Sequence, residues 1–129
     1  MTKPFARFAR KARISEMELW ETASQINAGM IDANLGGGVI KQRIARAGQG
    51  KSGGSRSIVL FRFKGRAVFV FGFEKKYLGN IKANELEAFR ELADVVLGYS
   101  DAEIALRVAD GALIELRPGE ERKNAEEVP

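Results

Sequence analysis

Two apolar runs, Arg56–Phe63 (RSIVLFRF) and Arg66–Phe73 (RAVFVFGF), stand on either side of Lys64-Gly65. Runs of this length rich in Val, Ile and Phe read as strands, and a Lys-Gly pair between them reads as a two-residue hairpin turn, with Gly where positive φ is needed. The hairpin commits the middle of the chain to an antiparallel sheet. The second run is apolar on both faces, the pattern of a strand with neighbours on either side, and is expected at the centre of its sheet. Upstream, Val39–Ala45 (VIKQRIA) alternates: Ile40 and Ile44 point one way, Lys41 and Arg43 the other. This is a third, half-buried strand with a cationic outer face. The glycine-rich stretch Gly48–Ser55 (GQGKSGGS) joins it to the hairpin.

Helical signals flank the strands. Residues 4–12 read as a short helix, with Pro4 at a first-turn position and Phe5, Phe8 and Ala12 on one face. Alternation of Phe5, Arg7 and Ala9 leaves a short edge strand open. Ser15 and Glu18 form a capping box, and a helix is expected from there to about Met30. Its stripe is Leu19, Trp20, Ala23, Ile26 and Met30, with Trp20 as a core anchor. Leu35-Gly36-Gly37-Gly38 ends helical character. Asn84 and Glu87 predict the cap of a further helix carrying Leu86, Phe89, Leu92, Ala93, Val96 and Leu97 on one face, ended by Gly98. Ser100 and Glu103 open a last short helix through about Ala109, stopped by Gly111, and Ala112–Leu116 has room for a short strand. The order is two helices, three antiparallel strands, then helices: an α+β layer in which helices pack on a small antiparallel sheet. At 129 residues one domain is expected, over 1–117, with 118–129 a disordered tail.

Absent residue types narrow the chemistry. There is no Cys and no His. No Ser-His-Asp triad, Cys-His pair or His- or thiolate-ligated zinc site can be built, and an acid or base working near neutrality has to be a shifted Lys, Tyr, Asp or Glu. Lack of Cys suits the cytosol. No apolar run is long enough for a transmembrane helix, and the charged N-terminus is followed by no apolar stretch of the secretory kind. No cofactor and no metal are expected.

Charge is unevenly spread. Residues 1–66 hold 13 Lys/Arg against 4 Asp/Glu, whereas 67–129 hold 8 against 13. Between residues 38 and 76 there are 10 basic side chains and one acid, Glu74. Such a block suits a polyanion, most simply nucleic acid, though a solvated basic face has the same composition. The set that matters is Lys41, Arg43, Arg46, Lys51, Arg56 and Lys75, which an antiparallel meander can bring to one patch, with Phe71 and Phe73 beside it to stack a base. Gly50-Lys51-Ser52 does not make a P-loop: the earlier glycine of that pattern falls on Ala45, and the loop passes from strand to strand rather than strand to helix. Its glycines and Lys51 still allow close approach to phosphates. RNA cleavage through the substrate's own 2′-OH needs no protein nucleophile, and preplaced cations stabilise its charged transition state more than the ground state. Binding without chemistry is the alternative. A carboxylate-based nuclease is disfavoured, since no acids cluster in the basic block.

The run from Leu35 to Ala45 (LGGGVIKQRIA), the segment Gly48–Arg56 (GQGKSGGSR), Phe71–Lys75 (FGFEK) and Asn80-Ile81 resemble the signature of RelE-type toxins, in the HigB-like branch of bacterial toxin–antitoxin systems. The resemblance spans roughly residues 4–116. It implies a cytoplasmic mRNA interferase that enters the ribosomal A site and cuts mRNA with the 2′-OH as nucleophile, leaving a 2′,3′-cyclic phosphate, or its hydrolysed form, and a 5′-OH. It also implies a cognate antitoxin, often a helix-turn-helix DNA-binding protein, and a small antiparallel sheet with helices on one face. Carried onto this chain, the resemblance gives Arg43 and Arg56 the transition-state charge and matches Lys75 as the cation after the third strand, which by elimination is the candidate for the acid–base work. It gives Lys41 and Lys51 the substrate backbone or the ribosomal RNA, and Arg46, Phe73 and Lys76 are expected to contact RNA beside them. Several members have Tyr where this chain has Phe73, and their usual opening strand is reduced here to Met1-Thr2-Lys3.

Overall fold

A computed structural model describes residues 1–45, 54–63, 65–74 and 81–116. The chain opens with α1 (Lys3–Lys11), so the helical alternative holds there: Thr2 caps it, its Oγ1 accepting from Phe5 N, and Arg10 and Lys11 sit in the last turn, where cations suit the helix dipole. Next comes α2 (Glu16–Asn27). Its capping box is complete, with Ser15 N donating to Glu18 Oε1 at 2.9 Å and Glu18 N to Ser15 Oγ at 3.1 Å. It stops at Asn27, short of Met30, because Gly29 takes a left-handed φ of 91°. Gly29 N then donates to Ile26 O and Met30 N to Gln25 O, the paired bonds of a Schellman end.

The buried stripe of α2 is Leu19, Thr22 and Ile26. Trp20 is 52% exposed, so it is not the core anchor that the spacing suggested, and Met30, 60% exposed, lies outside the buried stripe. Trp20 lies one residue step, about 100°, beyond Leu19 at the edge of the stripe. Thr22 takes the inward position because its hydroxyl is satisfied twice, donating to Glu18 O at 2.8 Å and accepting from Ala45 N at 2.9 Å.

Four strands, not three, make the sheet: β1 (Ala33–Gly36), β2 (Val39–Arg43), β3 (Ser55–Arg62) and β4 (Arg66–Glu74), antiparallel in that order. The unexpected strand is β1. Gly36, Gly37 and Gly38 all adopt positive φ and fold it back onto β2, with Ala33 opposite Lys41. Arg90 from the following helix locks this turn, Nη2 donating to Leu35 O; a Cβ on Gly37 would meet Arg90 Cγ at 2.9 Å. The β3–β4 connection is three residues, 63–65, rather than two. Arg62 pairs with Arg66, and Gly65 N donates to Arg62 O at 3.0 Å; Lys64 lies outside the described residues.

β4 is an edge strand, not a central one. Its two apolar faces have another cause, since helices cover both sides of the sheet. On one side Phe5, Ala9, Leu19 and Ile26 pack with Ile40, Ile44, Val59 and Phe69, and the rings of Phe5 and Phe69 stack at 5.1 Å. On the other, Val39, Ile58, Leu60, Val68, Val70 and Phe73 meet Ala93 and Val96 of α3 (Ala83–Leu97). Thr2 N donates to Phe69 O at 3.0 Å, covering part of β4's outer edge.

The cap of α3 lies two residues before the expected one, with Lys82 N donating to Glu85 Oε1 at 3.1 Å, and Leu92 is 38% exposed rather than buried with its neighbours. The last helix, α4 (Asp101–Ala109), has the expected Ser100–Glu103 capping box, and Gly111 follows at φ 84°. In place of a strand over 112–116 there is a single bridge, Thr2 to Leu113. Among the described residues no helix is long and apolar enough to cross a membrane. The expected tail lies outside the described residues.

Candidate active site

Alternation along the strands divides the α3-side face into two zones. At one end Val39, Leu60 and Val68 share the face under α3. Two residues along, Lys41 pairs with Ile58; two further, Arg43 pairs with Arg56, which itself pairs with Phe73. Apolar core thus gives way to cations along one continuous surface. The side chains of Lys41, Arg43 and Arg56 line a hollow of about 240 Å³ together with Asp32.

Asp32 immediately precedes β1, and the β1–β2 hairpin brings it to Arg43. Arg43 N donates to Asp32 Oδ2 at 2.6 Å, and Arg43 Nε lies 3.5 Å from the same oxygen. Gln42, buried on the other side of β2, holds this arrangement. Its Oε1 accepts from Asp32 N at 2.9 Å, its Nε2 donates to Met30 O at 2.8 Å, and its backbone carbonyl accepts from Ser57 Oγ at 3.0 Å. A buried side-chain amide here does the pairing that strand backbone would do if β1 began earlier.

Arg56 is the least satisfied member. Its Nη1 is buried and makes no hydrogen bond among the described residues. Burial pushes its basicity below the ordinary arginine value, the neighbouring Arg43 charge adds to this, and Asp32 and Glu74 act in the opposite sense. A guanidinium stays charged in proteins, so it answers burial by seeking an anion rather than by losing its proton. Gly54 makes room for it: a Cβ there would collide with Nη1 and lie 3.1 Å from Cζ. Glu74 sits on the opposite face, where its Oε1 accepts from Ser55 Oγ at 3.1 Å.

Of the residues singled out from sequence, Lys41, Arg43 and Arg56 come together. Arg46, Lys51, Lys75 and Lys76 lie outside the described residues. Phe73 adjoins Arg56 in register but is 7% exposed, its ring 5.9 Å from Phe71 in the α3-side core, so it backs the hollow and offers no open face for a base. Asp32 and Gln42 were missed. Three successive glycines were the available signal. Read as a tight turn rather than a break, they fold residues 33–36 onto 39–43 and carry Asp32 to Arg43. Among the described residues no three carboxylates group as metal ligands.

A larger groove of about 1070 Å³ opens on the other face, between α2, α4 and the β3–β4 end, with Trp20, Ala23, Phe61, Ile104, Val108 and Leu116 among its walls.

Comparison with known families adds one decisive finding. Residues 1–116 match the model of the family described as RelE toxin of the RelE/RelB toxin–antitoxin system. The chain belongs to the RelE toxin family. None of the curated proteins compared with it matches. As a RelE-family member it is a toxin of a toxin–antitoxin system, and its family implies an antitoxin partner. The α+β architecture, with a four-stranded antiparallel sheet and four helices, agrees with the RelE assignment.

Proposed function

We propose that this RelE-family toxin is a ribosome-dependent endoribonuclease that cuts mRNA in the ribosomal A site. The observation that carries the reading is Arg56: a buried guanidinium nitrogen without a hydrogen-bond partner among the described residues, in a hollow shared with Arg43 and Lys41. Leaving a buried donor unmet costs about 1–3 kcal/mol, more when charged, so this guanidinium carries an unmet demand for an anion.

The chemistry follows from charge. The 2′-oxygen of the nucleotide before the cut attacks its own 3′-phosphate, and the phosphorane-like transition state carries more negative charge than the diester. Arg43 and Arg56, fixed one opposite the other by the β2–β3 register, stabilise that increment. Lys41 holds the adjoining backbone. Lys75 moves a proton, and Arg46, Lys51 and Lys76 grip mRNA or ribosomal RNA. The products are a 2′,3′-cyclic phosphate, or its hydrolysed form, and a 5′-OH. The reaction belongs in the cytoplasm, and the antitoxin that restrains it is a helix-turn-helix DNA-binding protein.

A second reading is a toxin homologue that binds nucleic acid or a partner without cutting. Phe73 favours it: where several RelE-type toxins carry a tyrosine hydroxyl, this side chain is buried and has none to give. A purified translation system separates the two. On the enzyme reading, adding the protein to ribosomes paused on a defined mRNA yields 5′-OH fragments ending within the A-site codon. Salt-sensitive binding with no fragment supports the second reading instead.

A further inference from the structure

We infer that Asp32 is the proton acceptor for the attacking 2′-OH. The inference rests on the ribonuclease reading and names the base that reading leaves open. Among the described residues, Asp32 is the one carboxylate that lines the hollow formed with Lys41, Arg43 and Arg56. One of its oxygens, Oδ2, is committed to Arg43, through the backbone N–H at 2.6 Å and Nε at 3.5 Å. The other, Oδ1, makes no hydrogen bond among the described residues. One oxygen of the carboxylate is therefore used to hold its position, and the other is uncommitted among the described residues.

The rest of the site gives this geometry its meaning. A phosphate engaged by Arg56 and Arg43 brings its neighbouring 2′-OH into the same 240 Å³ space. The charges facing Asp32 are Arg43 from β2, Arg56 from β3 and Lys41 from β2, all cations. With no histidine in the chain, no imidazole competes for the role. Support from behind is unusually complete: buried Gln42 fixes both Met30 O and Asp32 N, so the acceptor stands on a braced strand end and not on a free loop.

The step balances simply. Asp32 Oδ1 takes the 2′-OH proton as the 2′-oxygen bonds to phosphorus. The P–O5′ bond breaks, and the leaving 5′-oxygen takes a proton from water. Asp32 then returns its proton to the hydroxide left in the solvent, which restores the carboxylate.

Asp32→Asn and Asp32→Ala decide the matter when compared with the unaltered protein on ribosome-bound mRNA under single-turnover conditions. Asparagine keeps an oxygen to accept from Arg43 N and loses the proton acceptor. Cleavage is expected to fall about 10²–10⁴-fold in both variants. Affinity for an mRNA carrying a 2′-deoxynucleotide at the cut site should stay within about threefold of the unaltered protein for D32N, showing a correctly built site. Near-normal cleavage by D32N with a loss confined to D32A would overturn the inference, leaving Asp32 a positioner of Arg43. Near-normal cleavage by both would overturn it outright. Absence of cleavage by the unaltered protein would instead remove the ribonuclease reading and the inference with it.

Discussion

Arg43 and Arg56 stand directly opposite one another across the β2–β3 ladder, and the backbone N–H of Arg43 is held by Asp32 at 2.6 Å. Like charges in directly opposed positions destabilise a sheet, by roughly 0.2–1 kcal/mol on the usual scale of such pairs. A chain selected only for stability has no use for this pair. Arg56→Gln is therefore expected to leave the urea midpoint unchanged or slightly higher, while cleavage falls about 10²–10³-fold, the range for loss of one preorganised charge-stabilising donor. A clear loss of stability in R56Q would make the pair structural.

Gly54 offers an independent route to the same side chain. Its missing Cβ is the space that the Arg56 guanidinium fills. Gly54→Ala should push that guanidinium out of the hollow and reduce cleavage severalfold or more with far-UV circular dichroism unchanged. Cleavage at the normal rate in G54A would show that the guanidinium need not sit there.

Gly72 is a packing position rather than a site position. It pairs with Ser57, and these two small residues leave a slot on the sheet for the Phe8 ring of α1; a Cβ at 72 would run into that ring. Gly72→Ala is expected to cost about 1–3 kcal/mol, the range for overpacking, read as a lower midpoint in urea unfolding. An unchanged midpoint would mean that Phe8 is not seated as described.

What the sequence made legible follows the range of the interactions involved. The caps of α2 and α4 are local chemistry within four residues, Ser15 with Glu18 and Ser100 with Glu103, and both stand where read. The cationic face of β2 follows from alternation alone. What failed depends on distant partners. β1 has little strand propensity of its own in Ala-Asn-Leu-Gly and exists because three glycines and Arg90 fold it back. β4 looked central because both its faces are apolar, yet that pattern reports two covering helix layers and says nothing about sheet order. Asp32 escaped notice for the same reason as β1, since its neighbour Arg43 is close only through the hairpin. Trp20 was misread because a five-residue stripe at helical spacing is broad enough to include its own flank.

That flank gives a direct optical test. Trp20 is the single tryptophan of the chain and is 52% exposed. Native emission should lie close to that of the unfolded protein and be quenched efficiently by acrylamide. Trp20→Ala should cost well under the about 3–5 kcal/mol typical of a core tryptophan. A blue-shifted, quencher-resistant emission would return Trp20 to the core.

The central claim, that Arg43 and Arg56 form a phosphodiester-cleaving site, is tested most directly by mapping transcript ends in cells expressing the chain without an antitoxin, beside the Arg43→Gln/Arg56→Gln double variant. The account predicts growth arrest and new 5′-OH ends within translated codons for the unaltered chain. For the double variant, folded and present at equal level, it predicts neither. Intact transcripts with the unaltered chain, or the same new ends with the double variant, would contradict it.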